Sequence, residues 1–355
     1  MMRPMEIQEH VPLANLTTMR VGGNARYFIR MRDPDQIPQA LTFARERDKP
    51  FYVLGGGSNV IIGDTGLDGV VLKMDIPGME VGDLGEDNVR LRAGAGEDWD
   101  ALVARCVESG YWGIENMSLI PGTVGAVPIQ NVGAYGQEAS DTLAEVRAWD
   151  TVDHVWRSFA NHECHFSYRS SLFNTTARDR YIITRVTFTL AKQGQPNLSH
   201  AAVRDALADV AHPTLEDMRA CVIALRTDGR LPDVSRVGNA GSFFKNVVLN
   251  KEEWARAKPL LQALAGSNPL RFFAMPEGVK LSTADLIRWC GLTEARVGHA
   301  CLYPRNPLVI MNEDGKARAT DVIELARYVI ARVRDKTGIN LMPEPRILGV
   351  GQVLL

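Results

Sequence analysis

The sequence predicts an α+β protein of two or three domains, strand-rich in its first half and richer in helix in its second. Three observations carry this. The chain has 355 residues, enough for more than one core. Between Phe51 and Leu190 short β-favouring runs recur, separated by glycine-containing turns. Beyond the polar, linker-like run Lys192 to Asn197, apolar residues return at helical spacing beside a few strand-like runs.

In chain order, Asp33 to Asp48 reads as a helix, with Pro34 in its first turn and Ile37, Leu41 and Ala44 on one face. Phe51 to Leu54 reads as a strand, runs into Gly55-Gly56-Gly57-Ser58-Asn59 and leaves as a second strand, Val60 to Ile62. Val70 to Leu72 and Val89 to Arg92 are further short strands. Glu97 to Gly110 reads as a helix with Trp99, Leu102, Val103, Cys106 and Val107 on its apolar face. Glu145 to Trp149 and Val155 to Phe159 form a hairpin around Asp153-His154. Tyr181 to Leu190 alternates, with Ile183, Arg185 and Thr187 on one face and Ile182, Thr184, Val186 and Phe188 on the other. Thr214 to Arg226 starts with a capping box of Thr214 and Asp217. Ser282 to Cys290 and Asp321 to Lys336 are helices, the latter ending at Gly338. Leu308 to Met311 and Ile347 to Leu355 are strand-like.

Bulk properties exclude several classes. A formal net charge of -2 gives no reason to expect a nucleic-acid or anionic-membrane partner. No apolar run has the length of a membrane span, and Met1 to His10 has no apolar signal core. The five cysteines are scattered and form no CxxC, so neither a disulfide framework nor a zinc site is indicated, and a cytoplasmic setting is expected.

Four stretches could carry chemistry. Leu119 to Gly136 is uncharged, punctuated by glycine and proline, and follows neither a helical nor a strand period. It suits the wall of a flat, uncharged ligand or, equally, a buried loop turning corners. The triple glycine Gly55 to Gly57 lies between two strands, so it is no GxGxxG dinucleotide turn. It can present backbone N–H groups to a phosphate or simply close a hairpin. In Gly238 to Asn246, Ser242 stands between Gly241 and two phenylalanines; Phe244 rules out a GxSxG elbow, and no histidine is placed as a base. A serine donating a proton without a covalent intermediate fits better, against the plainer reading of a turn-capping hydroxyl. Arg169, between Tyr168 and Ser170-Ser171, could clamp a carboxylate or sit in a surface ion pair. Glu344, between Pro343 and Pro345, is aimed by its prolines or merely solvated.

Taken together, Leu54 to Asn59, Gly94 to Trp99, Ile120 to Gly136, Ser167 to Arg169, Gly238 to Asn246 and Pro343 to Arg346 occur in an order that resembles one family, the UDP-N-acetylenolpyruvoylglucosamine reductases, in their longer subtype. The resemblance implies an α+β fold: a vanillyl-alcohol-oxidase/PCMH-type FAD-binding domain in two subdomains, plus an α+β substrate-binding domain. It divides the chain into 1–65 and 66–195 for the two FAD subdomains, 196–340 for the substrate domain, and 341–355 as a C-terminal segment returning to the active site. It implies non-covalent FAD and NADPH as co-substrate. The glycine loop would hold FAD through Gly55, Gly56, Gly57, Ser58 and Asn59. The uncharged stretch would do so through Pro121, Gly122, Thr123, Gly125, Ala126, Gln130, Asn131, Gly133, Ala134 and Tyr135.

The implied reaction reduces the enolpyruvyl ether of a UDP-sugar to UDP-N-acetylmuramate for peptidoglycan synthesis. Hydride from reduced FAD reaches the terminal methylene carbon, and charge builds on the adjacent carbon and its carboxylate. By the resemblance Arg169 holds that carboxylate, Glu344 stabilises the developing enolic form, and Ser242 protonates the carbanionic carbon. Tyr168, Arg230, Asn246, Lys280 and Arg346 are implied at the substrate. Three positions depart from the pattern: Arg230 replaces a lysine, His200 falls where a flap tyrosine is expected, and Trp289 stands where a glutamine can occur. A monomer without nucleic-acid or membrane partners is expected. Another flavin oxidoreductase of the same superfamily, and a non-catalytic sugar-nucleotide-binding protein, are the competing readings.

Overall fold

Val186, Phe188 and Leu190 alternate along the strand Tyr181–Ala191, and the reason is its place in the sheet. In the computed structural model, which describes residues 5–268, 270–275 and 278–351, this strand is the centre of five. The order is Val155–Ala160, Leu143–Asp150, Tyr181–Ala191, Asn88–Gly94, Met79–Asp83, antiparallel throughout. A central strand is covered on both faces, so even its polar face is largely buried. The simple alternation read from sequence fails at one point. Arg147 pairs with Arg185 but Ala148 pairs with Ile183, so Thr184 is an extra residue, a β-bulge. The bulge reverses the inside-outside order: Ile183 joins Val186 and Phe188 in one core, and Ile182 joins a different one. Thr184 is used rather than wasted, since its carbonyl accepts from Ala95 N at 2.9 Å.

The helix Trp99–Glu108 packs Trp99, Leu102, Val103, Cys106 and Val107 onto this sheet, the five apolar positions its periodicity indicated. Asp98 caps it, accepting from Ala101 N at 2.9 Å. A second sheet, ordered Ile7–Pro12, Asn24–Met31, Leu67–Met74, Phe51–Leu54, is covered by the helix Ile37–Glu46. The helix Leu215–Thr227 begins at the expected capping box of Thr214 and Asp217. These elements belong to one compact unit, residues 1–11, 25–57 and 68–228.

The other unit comprises residues 12–24, 58–67 and 229–355. The helix Ala319–Thr337 buries Val322, Ile323, Ala326, Val329 and Val333 and ends at Gly338, whose φ of 72° is the left-handed cap that glycine adopts cheaply. It packs with the helices Lys251–Ala265 and Thr283–Trp289 and with strands Ala300–Tyr303 and Asn306–Asn312 around one core. Strands Val247–Leu249, Gly278–Leu281 and Phe272–Met275 form a small sheet in that order. Near the C-terminus, Arg346–Leu348 pairs parallel with Val60–Ile62. The strand expected over Ile347 to Leu355 is thus short, and its last residues lie outside the described set. Compactness groups the chain in two; the four-part functional division remains a proposal. All five cysteines are buried and unpaired, and burial pushes the Cys106 and Cys164 thiols up to about 12.

Candidate active site

In the first unit the uncharged stretch is stitched to the start of the helix Trp99–Glu108. Trp99 N donates to Gly122 O at 3.1 Å, Val124 N to Glu97 O at 2.9 Å and Gly125 N to Ala95 O at 3.0 Å. The glycine loop lies against it with no room for side chains. A Cβ on Gly55 would fall 2.7 Å from Thr123 Oγ1, and one on Gly56 2.7 Å from Gly122 Cα. Gly57 is left-handed, with φ of 68°. The Thr123 hydroxyl is buried and has no hydrogen-bond partner. A buried orphan hydroxyl is costly unless a ligand completes it. This cradle of two close-packed glycine backbones and an unsatisfied hydroxyl fits the phosphate-bearing cofactor that the resemblance implies. Gly55, Gly56, Gly122 and Thr123 are thereby brought together; Ser58 and Asn59 continue the same loop into the second unit.

Further along, the stretch is strained. Asn131, Tyr135 and Arg169 hold φ of 47°, 49° and 52°, which side-chain-bearing residues seldom adopt. Arg169 is the second tip residue of a tight turn in which Ser167 N donates to Ser170 O and Ser170 N to Ser167 O. Its guanidinium donates to Asn131 O at 3.2 Å and Gly133 O at 2.6 Å. Cζ stands 5.4 Å from the Tyr168 ring centroid. These two carbonyl acceptors fix the direction of the guanidinium fork.

Asn131, expected from sequence at the cofactor, is 1% exposed and serves as a structural hub. Its Nδ2 donates to Glu138 Oε2 at 2.8 Å and its Oδ1 accepts from Ser140 N at 3.0 Å. Asn116 supports the next residues, donating from Nδ2 to Tyr135 O and Asn197 O, both at 2.9 Å. His200, expected in a flap, packs edge-on against Tyr135 with ring centroids 5.2 Å apart.

In the second unit Ser242 and Glu344 are joined through their backbones. Glu344 N donates to Phe243 O at 2.8 Å, Lys245 N donates to Met342 O at 2.9 Å, and Phe244 bridges Pro343. Phe243 and Phe244 are fully buried on either side of this seam. Each such burial is worth about 2–3 kcal/mol, which anchors the serine's segment firmly. On its N-terminal side, buried Asn239 accepts from Gly241 N through Oδ1 at 3.0 Å and is itself tied to Thr18, whose hydroxyl donates to Asn239 O at 2.6 Å. On the C-terminal side Thr283 donates to Lys245 O at 2.9 Å, and Asn246 Oδ1 accepts from Thr283 N at 3.1 Å. That bond fixes the direction of the Asn246 side-chain carbonyl. Neither Asn239 nor Thr283 is conspicuous in the sequence, because their roles depend on residues remote in the chain.

The other substrate candidates share this unit. Arg346 N donates to Asn59 O at 3.0 Å, and Asn59 Nδ2 donates to Glu344 O at 3.4 Å, so the end of the glycine loop and the glutamate's segment are held together. Lys280 lies on the strand paired with Val247–Leu249, beyond Asn246. Arg230 is exposed. Trp289, read as a departure at a polar contact, packs against the apolar core. Among the described residues no cluster of histidine, cysteine, aspartate and glutamate could hold a metal ion, and no helix is long and apolar enough to cross a membrane.

Residues 25–158 match the FAD binding domain family, and residues 233–348 match the C-terminal domain of UDP-N-acetylenolpyruvoylglucosamine reductase. The reductase of that name from Ralstonia nicotianae is 39% identical over 96% of this chain and 99% of its own. The one from Pseudomonas aeruginosa is 36% identical over 97% of this chain and 99% of its own. Among solved structures, the reductase from Thermus caldophilus superposes with a TM-score of 0.66 at 25% identity, covering 97% of this chain and all of the other. The α+β expectation of an FAD-binding domain followed by a substrate domain is borne out.

Proposed function

The chain belongs to the UDP-N-acetylenolpyruvoylglucosamine reductase family, and from that premise we propose that Arg169, Ser242 and Glu344 carry its reaction. The activity is the NADPH-dependent reduction of the enolpyruvyl ether of UDP-N-acetylglucosamine enolpyruvate to UDP-N-acetylmuramate, an NADP-linked step of peptidoglycan precursor synthesis. When bound and reduced by NADPH, FAD would supply the hydride for the terminal methylene carbon. The residues that would hold it are the Gly55–Gly57 turn with Gly122 and Thr123 at its phosphates, and the rest of the uncharged stretch through Tyr135.

The chain's own residues have two tasks. Charge that develops on the substrate carboxylate needs a cation. Arg169 is pre-oriented for that purpose by two backbone carbonyls. The carbon that becomes carbanionic needs a proton. Ser242 Oγ is the donor: a hydroxyl is a weak acid, but the carbanion is a strong base, so position matters more than acidity, and the serine oxygen regains its proton from solvent. Glu344 stands beside the developing enolic oxygen and shares a proton or hydrogen bond with it. Tyr168, Asn246, Lys280, Arg230 and Arg346 bind the remainder of the UDP-sugar.

The backbone seam between Phe243 and Glu344 carries this reading most directly, since it holds the proposed donor and the proposed carboxylate in one rigid ribbon. Stopped-flow kinetics test it. Ser242→Ala should leave flavin reduction by NADPH within about threefold of wild type and slow reoxidation by the enolpyruvyl substrate by several orders of magnitude. Equal losses in the two half-reactions would remove Ser242 from its role. The same reading includes a cytoplasmic monomer, and light scattering of the flavin-loaded protein checks the latter.

A further inference from the structure

We propose that the first unit carries a second, anion-binding site that takes a phosphate group, free or borne by a small molecule. It shares no residue with the cofactor and substrate candidates. Arg92, Arg147 and Arg185 line one cavity of about 320 Å³, together with Trp156. The sheet register places all three arginines on one face. Arg147 and Arg185 are direct cross-strand partners, and Arg92 is the partner of Thr187, two residues along from Arg185. Directly opposed like charges destabilise a sheet, so an uncompensated pair calls for a counter-charge.

The protein supplies little of it. Among the described residues neither Arg147 nor Arg185 forms an ion pair. Arg147 instead lies over the Trp156 ring, 5.3 Å from its centroid. Arg185 Nε is buried with no acceptor at all. Arg92 reaches only Glu80, at 3.8 Å, and that glutamate is 73% exposed, so the contact is weak. Asp35 and Glu80 are the acids of the lining, and both are on its exposed side. Guanidinium forks match the oxygens of a tetrahedral oxyanion, and a phosphate offers enough acceptors to meet three forks at once. The cavity is too small for a dinucleotide but admits a phosphate with a short organic tail.

The test is calorimetric titration of the flavin-loaded protein at constant ionic strength, with inorganic phosphate and with glycerol 3-phosphate. Wild type should bind at least one of them saturably; ester binding tighter than phosphate identifies a small phosphorylated metabolite, and the reverse identifies the free ion. R147Q/R185Q should weaken binding at least tenfold, and R92Q several-fold, while R230Q, at the substrate, should leave it unchanged. Phosphate should also raise the melting temperature of wild type but not of R147Q/R185Q. Because the double variant relieves repulsion, it should fold at least as stably as wild type; should it not, R92Q carries the comparison. Absence of saturable binding, or binding that survives loss of the arginines or disappears in R230Q, overturns the proposal.

Discussion

At the scale of single residues, the close approach of the glycine loop to Gly122 and Thr123 gives a direct test of the cofactor cradle. A methyl on Gly56 meets backbone at 2.7 Å, and backbone cannot move aside as a flexible side chain can. Gly56→Ala should therefore reduce the flavin retained on purification to well under half, read from visible absorbance. Its effect on chemical denaturation of flavin-free protein should be about 1–2 kcal/mol at most, since the strain is local. Asn131 has a different signature. Alanine there loses three side-chain hydrogen bonds, with Glu138, Ser167 O and Ser140 N, and the tolerance of asparagine for a left-handed backbone. Asn131→Ala should cost about 2–4 kcal/mol in denaturant unfolding and also slow substrate-driven reoxidation, because Asn131 O orients Arg169.

At the scale of elements, Asp100 shows how two helices hold the uncharged stretch. It lies in the first turn of Trp99–Glu108, accepts from Leu119 N at 2.6 Å, and receives both guanidinium nitrogens of Arg219, on the helix Leu215–Thr227, at 2.7 and 3.1 Å. Burial on its own would raise the carboxyl's pKa, but the hydrogen bonds from Arg219 and Leu119 N and the charge of Arg219 outweigh it and hold the pKa below the ordinary value. A depressed folded pKa gives stability that is full above the unfolded pKa of about 4 and is lost as pH falls through the folded one. Asp100→Asn should cost about 1–3 kcal/mol near neutral pH, and the gap to wild type should narrow as pH drops below about 4 in acid-denaturation curves. A gap independent of pH would assign the effect to shape rather than charge. Elements of this kind were legible where the signal is local: the cap of Thr214 and Asp217 and the apolar faces at Trp99 and Val322 need only neighbours in sequence. The helix Lys251–Ala265 is harder to read: Asn250 and Glu253 form a capping box, but Pro259 lies in its interior, a helix-breaking signal. The bulge at Thr184 was invisible because it is set by the partner strand.

At the scale of the whole molecule, the candidate residues divide between the two units. The first holds the Gly55–Gly57 cradle and Arg169, the second Ser242, Glu344 and the substrate candidates Asn246, Lys280 and Arg346. The motifs themselves could be read from sequence because each is short and odd in composition. What joins them could not, since Asn239 meets Thr18 and Glu344 meets Phe243 across long stretches of chain. The division predicts two kinetic classes. Weakening the first-unit cradle, as in Gly56→Ala, should lower both half-reactions in proportion to lost flavin, and saturating added FAD should restore them. Changing Ser242 or Glu344 should leave flavin content and NADPH oxidation of the loaded protein nearly intact and affect only substrate turnover. If these two act on one developing charge, their effects cannot be independent. Ser242→Ala with Glu344→Gln should then fall no more than about tenfold below the slower single variant, rather than by the product of both losses. Single-turnover reoxidation of the four proteins decides this: a multiplicative loss would mean that the serine and the glutamate serve separate steps.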